Sequence, residues 1–333
     1  MTAQVLGISG SPIAGGSTDR IVRRVLDATG LESEFVRLWD LDVQPCKACL
    51  ACAASNVCTG FDDDWLPLAT KIVRADALVL GGWAPFNILD ARTKTVPERM
   101  FSLRHSILLG AGKIGVAVVT GTVDPVPIAD GLLAWFATEG LRPLGRVTPA
   151  GTDPCWSCGF GDACVQGAPV PLVRGEYDLF EYPYADRLPA PEDFAISPEV
   201  IPPPVEDQAH VVAEAERLGR EIAAGARQSE SERRRALEGV APGAATLEPL
   251  PRLRALLEAG AAGVPVDVSE ELSALLARAG EQAARGAARG AVISLLALGR
   301  RALLRSDDQP ATELLVTEVR HAVADLYEAA TEK

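Results

Sequence analysis

Four of the seven cysteines fall between positions 46 and 58, at Cys46, Cys49, Cys52 and Cys58, with the spacing C-x2-C-x2-C-x5-C. Thiolates two residues apart wrap around one corner of a compact inorganic cluster, and a fourth from a short loop closes it. This is how [4Fe–4S] cubanes are held, and bacterial ferredoxins use a closely related run. A tetrahedral zinc site more often takes two C-x2-C knuckles separated by a longer loop, so zinc is the alternative. A disulfide is the third reading, because residues this close in one loop gain little from crosslinking each other. The remaining cysteines, Cys155, Cys158 and Cys164, have the spacing C-x2-C-x5-C. Three thiols do not complete a four-thiolate site. Asp153, Asp162, a histidine or solvent would have to supply the fourth ligand. This segment reads as a second iron–sulfur site, a zinc site, a redox-active Cys155/Cys158 pair or a bland glycine-rich loop.

A second constellation opens the chain. Gln4 to Ser9 is a short apolar strand, and Gly10-Ser11-Pro12-Ile13-Ala14-Gly15-Gly16-Ser17-Thr18 follows it. Ile21, Val22, Val25 and Leu26 then recur at helical spacing, with Gly30 past the end. Backbone N–H groups of a strand–loop–helix junction converge on one spot, and the helix dipole there favours an anion. Ser9, Ser11, Ser17 and Thr18 are the candidate phosphate donors. The loop is not G-x-G-x-x-G and lacks a Walker lysine. The plain alternative is an ordinary βα turn capped by Ser17 or Thr18.

The elements that must position these residues alternate. Strands are expected at Glu34–Leu38, Ala77–Leu80, Ile114–Val119 and Leu144–Thr148. A helix is expected after Asp62-Asp63-Asp64, with Trp65, Leu68, Ala69 and Ile72 buried and the three aspartates as solvated capping residues. Pro97 is expected to open the next helix. Short strands alternating with helices give a doubly wound parallel sheet, here of five strands. In such sheets ligands sit beyond the carboxyl ends of the strands.

G-I-S-G-S-P-x-x-G-G-S-T, a second strand running into L-x-D-L, and P-C-x-x-C-x-x-C together resemble the iron–sulfur flavoproteins of the flavodoxin-like, NAD(P)H-dependent FMN reductase superfamily. The resemblance covers about the first 180 residues. It implies a flavodoxin-like fold, FMN with its phosphate on the first loop, and a [4Fe–4S] cluster on Cys46, Cys49, Cys52 and Cys58. The P-C-x-x-C-G-x-G-x-x-C segment at Cys155, Cys158 and Cys164 also resembles a recurring feature of that family. The loop after the third strand, Gly81-Gly82-Trp83-Ala84-Pro85-Phe86-Asn87, departs from the family's usual G-S-P-V-Y-F-G. Trp83 or Phe86 still offers a flat apolar face for an isoalloxazine, with Asn87 beside it. Packing of both aromatics under the next helix is the alternative. Thr120 and Gly121 stand where relatives carry T-G-G, at the same sheet edge.

Composition narrows the classes. The chain has 333 residues, 48% hydrophobic and 23% charged, which describes a folded protein. With 32 Lys plus Arg against 45 Asp plus Glu the net charge is −13, so a large nucleic-acid footprint is excluded. The start shows no cleavable signal, and the longest apolar run, Ala291 to Leu298, is too short for a membrane span. Clustered thiols then point to a reducing, cytoplasmic setting.

The expected organisation is an FMN/iron–sulfur domain over 1–226, including a proline-rich wrapping segment over 153–204, and an all-α helical domain over 227–333. Val211, Ala215, Leu218 and Ile222 form the buried face of the helix that closes the first domain. Further helices are expected at Ser231–Leu237, Arg252–Leu257, Ser269–Leu304 and Thr312–Thr331, with Gly286 and Gly290 softening the long one. Leu272, Leu275, Leu276, Ile293, Leu296 and Leu303 are its candidate core, and Arg233-Arg234-Arg235 a solvated face. This part is assigned to homo-oligomer contact or docking in a reductase complex.

The expected function is an oxidoreductase or electron-transfer flavoprotein, fed by NAD(P)H or a ferredoxin, with no assignable catalytic residue and an unnamed acceptor. The alternative is a non-enzymatic metal-cluster or zinc module whose flavin site has decayed.

Overall fold

The computed structural model describes residues 4–122, 124–151, 203–259, 266–305 and 309–331. Five parallel strands form one sheet: β1 (Gln4–Ser9), β2 (Glu32–Arg37), β3 (Ala77–Trp83), β4 (Ile114–Thr120) and β5 (Arg142–Val147). Their spatial order, β2-β1-β3-β4-β5, is the flavodoxin-like doubly wound arrangement. β1 pairs with both β2 and β3, so the winding reverses between β1 and β3, and in such sheets ligands bind beyond the carboxyl ends of the strands at that point.

Alternation along the strands sorts the side chains to two faces. Val5, Val79, Val116 and Val118 face α1 (Ser17–Thr29) and the front of a long helix, α5 (Ala209–Val240). Val211, Ala215, Leu218 and Ile222 are the buried stripe of that helix, as its sequence predicts. At the contact with α1, a Cβ on Gly219 would come within 2.5 Å of the Val25 carbonyl oxygen, so only glycine lets the two helices approach this closely. Leu6, Ile8, Leu78, Leu80, Ala117 and Val119 face the other way. They are covered by α2 (Trp65–Arg74), α3 (Ala91–Met100) and α4 (Val126–Thr138).

The remaining helices extend that second layer. They are α6 (Pro249–Glu258), α7 (Val266–Ala284), α8 (Ala288–Arg305) and α9 (Gln309–Thr331). Leu272, Leu276, Leu296 and Tyr327 join the same buried cluster as Trp65 and Leu68, so the helical extension packs onto the helix that covers the sheet. No helix among the described residues is long and apolar enough to cross a membrane.

Several expectations are corrected. Pro97 does not open α3. Asp90 caps that helix seven residues earlier, its carboxylate accepting from the Thr93 amide at 2.8 Å, and Pro97 lies inside. α5 runs unbroken from Ala209 to Val240, where a separate helix was expected over 231–237. The long pattern does divide at Gly286, one of the two glycines expected to soften it, which takes φ +74°. Ile293 and Leu303 are exposed, whereas Leu275 is partly buried against the core. Arg233 is not solvated. Its side chain is 12% exposed and pairs with the fully buried Glu318 at 2.8 Å. The cysteine-bearing, proline-rich segment lies outside the described residues from 152 to 202, and with it Cys155, Cys158 and Cys164.

Candidate functional site

The first candidate region is the carboxyl edge at β1 and β3. Ser9, Gly81 and Arg37 lie side by side in register, as do Trp83 and Thr120. The α1 N-terminus opens here at Gly16, and its first-turn amides lack intrahelical acceptors. Not every predicted hydroxyl is free. Ser9 Oγ donates to Asp19 Oδ1 at 2.5 Å, and Thr18 Oγ1 donates to Thr120 Oγ1 at 2.9 Å. Ser11 Oγ donates to the Ile13 carbonyl at 3.0 Å, holding the loop in its turn. Ser17 stands half-buried at the helix start. Ser9, Ser11 and Thr18 thus brace the loop, and the groups left to meet an anion here are the first-turn amides of α1 and the Ser17 hydroxyl.

Asp19 was not singled out by sequence. It accepts from the Gly15 amide at 2.9 Å and lies 3.2 Å from Arg37 Nε, so it ties the loop to β2. Trp39 was also missed as a site residue. Its indole N–H donates to the Gly10 carbonyl at 2.9 Å while its ring stays half exposed, with the Arg92 guanidinium 5.0 Å from its centroid.

The β3 loop places Phe86 outward. The side chain is 97% exposed, and both Phe86 and Asn87 take positive φ, +52° and +55°. Packing under the next helix is thus excluded for Phe86. Trp83 is half-buried, and its amide donates to Asp90 Oδ2 at 3.0 Å. Burial pushes the Asp90 carboxyl up, against the hydrogen bonds from Thr93 and Trp83. Gly121 bridges to Ala150 beyond the strand end.

The second region is the cysteine loop. Cys46 and Cys49 are exposed, Cys52 is buried and Cys58 lies between. Burial pushes the Cys52 thiol up, and the Cys58, Cys46 and Cys49 thiols nearby add to this, so the four are electrostatic neighbours. Among the described residues no three His, Cys, Asp or Glu side chains close on a single-ion site. Three residues of the loop, Ala48, Leu50 and Asn56, take left-handed φ without being glycine. Such conformations cost of order 1–2 kcal/mol and persist where the surroundings fix them. Two N–H groups point at sulfur. The Ala48 amide lies 3.4 Å from Cys46 Sγ, and Arg99 Nη2 lies 3.4 Å from Cys58 Sγ. Gly60 has no side chain where one would collide, since a Cβ there would stand 2.8 Å from Cys49 Sγ. The four thiols of this loop, two of them with an N–H donor at sulfur and one with clearance from Gly60, are the soft donor type that a thiolate-ligated inorganic group requires.

Asp63 corrects the expectation of three solvated caps. Its side chain is 1% exposed and pairs with Arg99, whose Nη1 is 2.5 Å from Oδ2 and Nη2 3.1 Å from Oδ1. Burial alone would raise its carboxyl, but Arg99 and the Gln44 and Trp65 amides hold it below the usual range.

The loop is closed from far away in sequence. Tyr327 of α9, fully buried, donates its hydroxyl to the Asn56 carbonyl at 2.8 Å. Asn56 in turn bonds the Ile107 carbonyl at 2.8 Å and accepts from the Ser106 amide at 2.9 Å. Tyr327→Phe leaves that carbonyl buried without its partner. It is expected to cost about 1–3 kcal/mol in urea unfolding and to speed proteolytic nicking within 50–60. A variant within 0.5 kcal/mol of wild type would show that the bond does not hold the loop.

α3 joins the two regions. At its start Asp90 and Thr93 hold Trp83 and Gly81, and near its end Arg99 holds Cys58. Nine residues of helix separate Asp90 from Arg99, about 14 Å at 1.5 Å per residue.

Residues 3–82 match the family described as NADPH-dependent FMN reductase. An iron–sulfur flavoprotein of Methanocaldococcus jannaschii is 36% identical over 121 residues, 35% of this chain and 62% of that protein. The iron–sulfur flavoprotein of Methanosarcina thermophila is 30% identical over 121 residues, 35% of this chain and 63% of that protein. The matched stretch thus spans less than two thirds of either relative. A flavone reductase structure aligns at 18% identity and TM-score 0.42, over 68% of this chain and 64% of that one.

Proposed function

We propose that this chain, related through its N-terminal residues to iron–sulfur flavoproteins of the NADPH-dependent FMN reductase family, is a flavin oxidoreductase with two redox groups. FMN would lie across the carboxyl edge, its phosphate on the first-turn amides of α1 with the Ser17 hydroxyl. Trp83, Phe86, Asn87, Thr120 and Gly121 would border its ring. A [4Fe–4S] cluster would be held by Cys46, Cys49, Cys52 and Cys58. FMN supplies two-electron chemistry and such a cluster one-electron transfer.

The chain's own part is placement. α3 fixes the loop bordering the flavin at one end and a cluster ligand at the other, about 14 Å apart by helix rise. That single observation carries the reading, since it sets both groups on one rigid element. Asp19 and Arg37 hold the phosphate loop, and the exposed faces of Trp39 and Phe86 leave the edge open to a partner. NAD(P)H is the expected donor, with ferredoxin as the alternative, and the acceptor is a second redox protein or small molecule.

One observation favours a different reading. Ser9, Ser11 and Thr18 all spend their protons on internal hydrogen bonds, which suits a metal-cluster module that has lost its flavin. Anaerobic purification with iron, sulfide, zinc and released FMN measured on one sample separates the two. FMN with about four irons per chain supports the oxidoreductase, and about eight adds a second cubane at Cys155, Cys158 and Cys164. Iron without FMN supports the module, and zinc without iron overturns both assignments of the first cysteine group.

A further inference from the structure

We propose that Arg99 is a positioning residue that fixes Cys58 and, with Asp63, sets the reduction potential of the iron–sulfur group. This inference rests on the four-cysteine reading above.

The geometry is specific. Arg99 is 2% exposed, although arginine is rarely buried without a compelling set of partners. Nη1 donates to the Gln44 carbonyl at 2.8 Å, which secures the chain just ahead of Cys46. The same guanidinium pairs in two places with Asp63. Its Nη2 then reaches Cys58 Sγ. Phe61 and Trp65 flank the cation, with ring centroids 4.8 Å and 5.1 Å from its central carbon. Nε is buried and has no partner. One rigid, planar group therefore reaches from the entrance of the cysteine loop to its last thiol. Lysine has no such fork and cannot make these contacts together.

The electrostatic consequence follows from charge and burial. Hydrogen bonds to ligand sulfurs and nearby charges tune iron–sulfur potentials. Adding an electron makes the group more negative, and a buried cation at a sulfur stabilises the reduced state. Asp63 opposes part of that effect. The pair thus works as a cation and its counterweight, both removed from solvent, where charges are screened least.

The test uses the full chain, loaded anaerobically, with redox titration followed by visible absorption and electron paramagnetic resonance. Iron per chain is measured first. Asp63→Asn leaves the guanidinium uncompensated, and the equilibrium constant for one-electron reduction should rise about tenfold, equivalent to 59 mV. Arg99→Gln leaves the carboxylate uncompensated, and the constant should fall by about the same factor. Arg99→Lys should not restore the wild-type value. Loss of iron from a folded Arg99→Gln protein would support the positioning part, and Asp63→Asn then decides the potential alone. A merely structural role predicts no opposed shifts. Wild-type protein without iron overturns the underlying reading and this one together. Wild-type protein with about four irons, and variants whose constants move less than threefold or in the same direction, overturns the assignment to Arg99 and Asp63 only.

Discussion

Each of Cys46→Ser, Cys49→Ser, Cys52→Ser and Cys58→Ser is expected to give a protein that keeps FMN and loses most of its iron. A serine oxygen is a poor substitute for a thiolate toward iron, and with three ligands left the group is open to solvent and oxygen. Flavin should survive because the phosphate loop is held by its own contacts, from Asp19, Arg37 and the Trp39 indole. The four changes should not behave alike in stability. Cys46 and Cys49 lie at the surface, whereas Cys52 is buried and Cys58 meets Arg99. Serine at 52 or 58 should therefore also lower the urea midpoint, and serine at 46 or 49 should leave the unfolding of the metal-free protein nearly unchanged. Iron assays with the flavin spectrum on the same samples check all four. Full iron retention in any two of the variants would end the reading of this loop as a four-thiolate site. Serine at Cys155, Cys158 or Cys164 is the companion measurement. It should leave about four irons per chain bound at the first site.

Glu318→Gln is expected to destabilise the fold by about 3–5 kcal/mol, the loss typical of removing one member of a buried ionic network. Glu318 is completely buried in α9. Its two carboxylate oxygens each take one arginine at 2.8 Å, Arg233 from α5 and Arg252 from α6. Arg252 spends its other arms on the Leu247 and Ala244 carbonyls. The neutral amide accepts from one arginine only and turns its NH2 group on the other. Urea unfolding followed by circular dichroism measures the loss, and a change below about 1 kcal/mol would show that the triad is dispensable. Replacing all three residues by apolar ones of similar volume is expected to be far milder, because no charge is left stranded.

The alternation of short apolar strands with helices was readable from sequence, and it led to the five-stranded doubly wound parallel sheet, whose spatial order only the structure supplies. The first loop and the cysteine run were readable because their residues are close together in the chain. What escaped reading is long-range. Nothing around Arg99 marks it as the partner of a cysteine 41 residues earlier. Asp63 sits among three aspartates before a helix, a pattern that ordinarily marks a solvated start, and only the fold brings Arg99 over it. Arg233 follows the same logic, since its partner lies 85 residues on. Pro97 misled because a proline in the first turn and one deeper in a helix look alike until the true cap, Asp90, is seen.

The hydroxyl of Tyr327 reaches an acceptor 271 residues earlier in the chain. On a ribosome adding about 5–20 residues per second, roughly 15–50 s pass between the emergence of the cysteine loop and that of its far wall. Through that interval the Asn56 carbonyl lacks its buried partner. The last turn of the cysteine loop is therefore locked only after α9 has been made, so its final shape belongs to the late stage of folding.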